Sequence, residues 1–160
     1  QGVYNADILN QLPAMELADV IYQYGEERRS RLIARNIEKM RPLKTVFDLI
    51  EAIRRSTPPN HRDRSLARVF QAIRIKVNGE LDKLESFLSS FVERLSIGGR
   101  ITIISFHSLE DRMVKHSFKC LAKDGFLSIL TKKPLIATAE EMANNRRSKS
   151  AKLRAAERIA

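Results

Sequence analysis

An α/β fold, with a helical unit ahead of about three strands, is predicted by three features of the sequence. The first two-thirds of the chain has helical periodicity and no strand pattern. Gly98-Gly99 interrupts that pattern, and Ile101-Thr102-Ile103-Ile104-Ser105-Phe106 follows, short, β-branched and nearly all apolar. Such a run fits a strand buried on both faces in a parallel sheet. Two later segments, Phe126–Thr131 and the tail from Ser150 to Ile159, have strand character, although the tail's composition also suits a helix.

The elements follow in order. Asp7 to Leu12 suits a short turn of helix. Pro13 suits a first helical position, and Met15, Leu17, Val20, Ile21 and Tyr24 recur at helical spacing until Gly25 stops the run. A second helix is expected from Glu26-Glu27, whose charges match the positive end of the dipole, to Arg41 before Pro42. Ile33, Ile37 and Met40 share one face of it, and Arg28, Arg31, Arg35 and Lys39 fall on the other. Thr45 can cap a third helix carrying Val46, Phe47, Ile50 and Ile53, ended by Thr57-Pro58-Pro59.

A basic loop, Asn60-His61-Arg62-Asp63-Arg64, precedes Ser65, from which one long helix is expected through Phe70, Ile73, Val77, Leu81, Leu84, Leu88, Phe91 and Leu95. After the apolar strand, Ser108 can cap a helix to about Lys123, with Glu110 and Asp111 in its first turn. Thr138 and Glu141 have capping-box spacing ahead of a short helix. The boundary falls near residue 60. Residues 1–60 form a helical unit, and 61–160 hold the long helix and the sheet-bearing part.

Composition narrows the function. Of the 160 residues 43% are hydrophobic and 30% charged, so a core of ordinary size is available. A formal charge of +10 points to a polyanionic partner, with RNA, DNA and anionic membrane all open. A single cysteine, Cys120, excludes an internal disulfide or a cysteine metal cage, and its neighbours Phe118 and Leu121 suggest a small buried hydrophobe. No apolar run approaches the roughly 20 residues that span a bilayer, and no signal peptide is visible, so a reduced, cytoplasmic setting is expected. His61, His107 and His116 show no metal-ligand spacing with carboxylates, and no metal is expected.

Chemistry is best placed where the apolar strand meets the next helix. In open α/β sheets ligands sit beyond the carboxyl ends of strands, where side chains and free helix N–H groups converge. That makes Ser105, His107 and Ser108 candidates for a substrate pocket. On general grounds the favoured reading of His107 is a hydrogen-bonding residue that fixes the turn. The cations Arg28, Arg31, Arg35 and Lys39, with Arg62, Arg64, Arg68 and Arg74, are candidates for phosphate contact, against the ordinary alternative of a solvated charged face. The basic run Asn145–Lys149 is open to the same two readings.

Ser105-Phe106-His107-Ser108-Leu109-Glu110-Asp111-Arg112 resembles the signature of the MraW/RsmH family of small-subunit ribosomal RNA cytosine-N4 methyltransferases. Tyr24-Gly25-Glu26-Glu27-Arg28 with Ile33-Ala34-Arg35, Phe70–Ile75 with Val77-Asn78 and Glu80-Leu81, and Ser150–Arg154 with Ala156-Glu157 resemble further family motifs in order and spacing. The resemblance covers nearly the whole chain. It implies a Rossmann-like fold dependent on S-adenosylmethionine, interrupted by a helical insertion that contacts RNA. The strand Ile101–Phe106 would be a late parallel strand, and the two later strands would complete the sheet's edge, the last one antiparallel.

No Gly-rich strand-to-helix turn for the donor and no acidic strand end for its ribose are found; Gly98-Gly99 precedes a strand instead of following one. In the family's order these elements lie upstream of Gln1, and the start Gln1-Gly2-Val3 lacks an initiator Met. The chain is therefore expected to be the C-terminal part of such an enzyme, inactive alone. Its partner would be small-subunit ribosomal RNA or the assembling small subunit. A non-catalytic RNA-binding or ribosome-assembly protein derived from the same fold is the competing expectation. The apolar strand is expected to pair with a second copy in a homodimer, to pair with the upstream half, or to be covered by the chain's own helices.

Overall fold

Amphipathic spacing ahead of residue 80 produces five helices: α1 (Asn5–Gln11), α2 (Ala14–Gly25), α3 (Ser30–Lys39), α4 (Val46–Ser56) and α5 (Arg62–Asn78). The computed structural model describes residues 5–160. Those up to Glu80 make one compact unit, and Leu81–Ala160 make another. The first unit runs some twenty residues past the boundary near residue 60 suggested by composition, because α5 packs against α2 and α4. In its core Leu17 and Ile21 of α2, Ile33 and Ile37 of α3, Ile53 of α4 and Val69 of α5 are fully buried. Burial of such a side chain contributes on the order of 1.5–3 kcal/mol, so this core sets the register of the helices.

The helix ends show where local chemistry outweighs periodicity. Glu26, not Gly25, adopts the left-handed conformation (φ 53°) and closes α2 by donating its N–H to the Tyr22 carbonyl. Gly25 is required for a different reason: a Cβ there would lie 2.6 Å from the Arg68 carbonyl oxygen of α5. The second helix starts at Ser30 and not at Glu26-Glu27, because Glu27 turns inward and is buried. Thr45 caps α4 as expected, in a reciprocal box with Asp48. The Thr45 and Lys44 backbone N–H groups hold the Asp48 carboxyl below its usual range.

The expected long helix from Ser65 to Leu95 is two helices. Gly79 takes φ 58° and its N–H closes α5 on the Ile75 carbonyl. A second helix, α6 (Glu80–Ser90), and a short 3-10 turn, Phe91–Arg94, follow. The three-four rhythm continues across the break because both helices bury apolar faces, so spacing alone did not reveal it.

In the second unit β1 (Arg100–Ser105) leads into α7 (Ser108–Lys123), then β2 (Leu127–Ile129), β3 (Leu135–Ile136), α8 (Ala139–Asn144) and β4 (Lys152–Arg158). The sheet order is β1-β4-β2, with β3 also on β4, and every pairing is antiparallel. Strands β1 and β2 therefore run parallel to each other, joined through α7, with the antiparallel β4 inserted between them. This mixed arrangement agrees with the expected partial methyltransferase fold and with an antiparallel last strand. The two residues of β3 were too few to leave a sequence pattern.

The pairs Ile101↔Ala156 and Ile103↔Arg154 place these four residues on one face of the sheet. That face packs on Val114 and Phe118 of α7, with Leu127, Leu88 and Phe91 completing the core. The opposite face carries Thr102, Ile104 and Leu135, and Ile104 is 54% exposed. The expectation of a strand buried on both faces is thus corrected: within this chain one face is covered. Composition reports strand propensity but not how many layers lie over it. Among the described residues β4 is the only strand paired with β1, and its other edge is open.

Cys120 also departs from expectation. It is exposed, because it sits two residues beyond Phe118 and so on the other side of α7, with Sγ 3.7 Å from His116 Nε2. No helix of the described residues is long and apolar enough to cross a membrane.

The close approach at Gly25 gives a stability prediction. Gly25→Ala should destabilise the helical unit by about 1–3 kcal/mol, since the added methyl meets backbone that cannot rotate away. Urea denaturation followed by circular dichroism reads this directly; an unchanged midpoint would show that α2 and α5 separate without cost.

Candidate functional site

The end of β1 collects Ser105, His107 and Ser108 within one turn of chain. Ser105 is buried beneath α7, in register with Lys152 of β4. His107, not Ser108, is the N-cap of α7. Its extended backbone (φ −143°) turns Nδ1 to accept from the Glu110 N–H at 3.3 Å, and Ser108 becomes the first helical residue. Both side chains can accept at a helix start, so sequence gave no means of choosing between them.

Glu110 reciprocates. One carboxylate oxygen accepts from the Phe106 N–H at 2.8 Å, and the other lies 3.5 Å from His107 Nε2. With Nδ1 accepting, a neutral His107 carries its proton on Nε2. The residue is 8% exposed. It stands at the carboxyl end of β1, as a pocket residue must, yet it is held as a helix cap. Ser108 remains partly accessible beside it.

Behind this turn lies a group that sequence reasoning passed over. Asp111, in the first turn of α7, accepts from Arg154 Nε at 2.7 Å and Nη2 at 3.3 Å, and pairs with Lys152 Nζ at 3.4 Å. Lys152 and Arg154 lie on the α7 side of β4, two residues apart, so one carboxylate reaches both. Burial pushes the Asp111 carboxyl up, but the Arg154 guanidinium and the Lys152 ammonium outweigh it and hold the group below the usual range. The sequence separation of 43 between Asp111 and Arg154 leaves no local signal of this pair.

The basic candidates divide into groups. Arg28, Arg64 and Arg68 line one cleft of about 620 Å³, joined by Arg29 and His61. At its wall Glu27, 4% exposed, accepts from Ser65 Oγ at 2.8 Å and the Arg29 N–H at 2.9 Å, with Arg68 Nη1 3.6 Å away. Arg31 and Arg35 line a different cleft, where Asp19 and Glu38 stand beside them. Arg74 is paired with Glu80 at 3.0 Å, and Arg62 reaches the Thr57 carbonyl at 3.4 Å. Lys39 is exposed and lines neither cleft.

The strand-to-helix turn lacks the features of a nucleotide cradle. It is Phe106-His107, without glycine, and the His107 imidazole occupies the Glu110 N–H that an anionic or polar donor group would need.

The profile of the MraW methylase family matches residues 1–159. Among curated proteins the chain is similar to "Ribosomal RNA small subunit methyltransferase H" of Kosmotoga olearia, 53% identical over 99% of this chain and 54% of that protein. It is similar to the proteins of the same name from Nostoc sp., 52% identical over all of this chain and 53% of the relative, and Nostoc punctiforme, 54% identical over 96% and 52%. The chain thus spans about half the length of these relatives.

Removing the Asp111 charge should destabilise the sheet unit strongly. Asp111→Asn leaves Arg154 buried without a counter-charge and is expected to cost about 3 kcal/mol. Because the folded carboxyl titrates below its unfolded value of about 3.9, its contribution is complete above that value and is lost as pH falls through the folded one. Acid titration of the variant should therefore show a shallower loss of stability below about pH 4 than the parent. Identical acid profiles would assign the pair no stabilising role.

Proposed function

The chain belongs to the MraW methylase family, and from that premise we propose that it forms part of a cytoplasmic S-adenosylmethionine-dependent enzyme that methylates N4 of a cytidine in small-subunit ribosomal RNA. The observation that carries this reading is the near-complete match of the chain to that family, at 52–54% identity to proteins named for the activity. The chain's share of the work is on the substrate side. Among the described residues no glycine-rich strand-to-helix turn cradles the donor, and the proposal assigns its binding to the rest of the enzyme.

Methylation of an exocyclic amine requires the target cytosine to be unstacked and held so that its nitrogen points at the methyl group. Ser105, His107 and Ser108, at the carboxyl end of β1, are the residues of this chain proposed to border the base. The Asp111–Arg154 pair fixes α7 against β4 and so holds His107 in place. The basic helices ahead of residue 80 supply sequence-independent affinity for the RNA backbone, which positions the substrate without reading it.

A methyl-transfer assay with the protein at its natural length tests this. Incorporation into purified small-subunit ribosomal RNA, located by mass spectrometry at N4 of a cytidine, is the expected result. RNA binding without transfer would instead support a non-catalytic assembly protein. His107→Asn separates the two roles of that residue, since asparagine also caps helices well. The variant should keep its melting temperature within a few degrees and lose roughly tenfold or more in kcat, the scale of a misplaced reacting group. Full activity with Asn at this position would leave His107 as a cap and nothing more.

A further inference from the structure

We infer that the cleft formed by Arg28, Arg29, Arg64, Arg68 and His61 is a phosphodiester-binding site that grips the RNA backbone. The inference rests on the RNA-directed reading above and narrows it to one place and one chemistry. Four arginines line this cleft, against one acid, Glu27, and the Arg29 guanidinium also donates to the Ser56 carbonyl at 3.5 Å. Glu27 is already engaged by Ser65 and the Arg29 N–H, and of the four arginines Arg68 is the one recorded in an ion pair with it. Among the described residues Arg28 and Arg64 make no ion pair, and both are exposed. An excess of cations gathered in a concave space repels itself until an anion enters, and concavity concentrates the field there.

The other cleft of comparable size shows the contrast. Arg31 and Arg35 face Asp19 and Glu38, two cations against two carboxylates, so it has no charge left to offer. Arg74 is likewise matched by Glu80. Of the cations suggested by sequence, Arg28, Arg64 and Arg68 are the three that converge with excess charge.

The lining also speaks for backbone over base. It holds four arginines, a glutamate, a serine and a histidine and no Phe, Tyr or Trp, so groups that bind phosphate outnumber those that stack on a base. Guanidinium forks suit phosphate oxygens, which accept two parallel N–H bonds. A volume of about 620 Å³ admits a sugar-phosphate unit and not only a small ion. Glu27 acts here as a positioning residue. From the wall of the cleft it restrains Arg68 and the Arg29 backbone, so part of the ordering cost of the site is met before RNA arrives.

The test uses the natural-length protein and a fluorescein-labelled single-stranded RNA 12-mer, with binding read by anisotropy across a potassium chloride series. Arg28→Ala with Arg64→Ala should weaken binding at least tenfold near 0.1 M salt. It should also reduce the slope of log K against log salt by about 1.4, two phosphate contacts at roughly 0.7 each. Lys115→Ala with Lys119→Ala removes the same formal charge from exposed positions of α7 and should change affinity less than about twofold. Equal losses in the two double variants, or no loss in the first, would overturn the inference. So would displacement of the RNA by submillimolar inorganic phosphate at constant ionic strength, which marks a free-phosphate site. Methyl transfer measured in parallel separates the two claims. Loss of binding in the cleft variant of a protein that does not methylate RNA upholds the cleft and removes the enzymatic reading. Normal binding in the cleft variant of an active enzyme does the reverse.

Discussion

The sheet unit depends on one buried carboxylate. Asp111 sits where α7 begins, and its bonds to Arg154 and Lys152 join the helix that follows β1 to the strand that pairs with it. Apolar contact alone would let a helix slide along a sheet, because dispersion and hydrophobic burial have little direction. A carboxylate that must satisfy two cations at fixed positions of β4 removes that freedom. The registers Ile103↔Arg154 and Ser105↔Lys152 then put the carboxyl end of β1, with Ser105 and His107, in a defined place. Glu27 is the counterpart in the helical unit, binding Ser65 of α5 and the backbone ahead of α3. Each unit thus has an apolar core that makes it stable and a buried acid that makes its geometry specific.

Most of the helices were legible because their faces are amphipathic, and the end of α7 at Lys123 was read correctly. What escaped were interruptions whose cause is local or tertiary. Gly79 ends α5 in mid-rhythm, and a lone glycine within a helical pattern is ordinarily tolerated, so its left-handed conformation had no unique signature. Glu26-Glu27 has the composition of a helix start. One of the pair closes the preceding helix, and the other is drawn inward by a serine 38 residues away. The strands were found from β-branched composition and from the family resemblance. How many layers cover β1 was not, since an apolar strand looks the same under one layer as under two.

The site was legible to a different degree in its two parts. The octapeptide Ser105–Arg112 announces a family and a location, but whether His107 or Ser108 caps the helix is decided by backbone angles that no residue pattern encodes. Helical spacing placed Arg31 and Arg35 beside Arg28 on a common stripe. The acids that neutralise them come from α2 and from their own helix, while the cations that reinforce Arg28 are its neighbour Arg29 and Arg64 and Arg68 of α5. Charge on one helix can be counted from sequence. Charge balance in a cleft belongs to several helices at once, and only their packing reveals it.

The inserted position of β4 has a consequence for how the chain acquires its fold. Strands β1 and β2 flank β4 and bond to it, not to each other, so neither can complete a ladder until residues 152–158 are available. As the polypeptide is made, α7 and both earlier strands emerge first and wait, with Ile101 and Ile103 lacking the strand that seals them. Closure then joins segments some fifty residues apart, and such long-range pairing is slow and leaves apolar edges open in the interval. The helical unit also closes over a distance, α5 packing back on α2, but all of its elements have emerged once Asn78 is made. The two units are thus expected to mature in sequence, with the helices ordered while the sheet is still waiting for its middle strand.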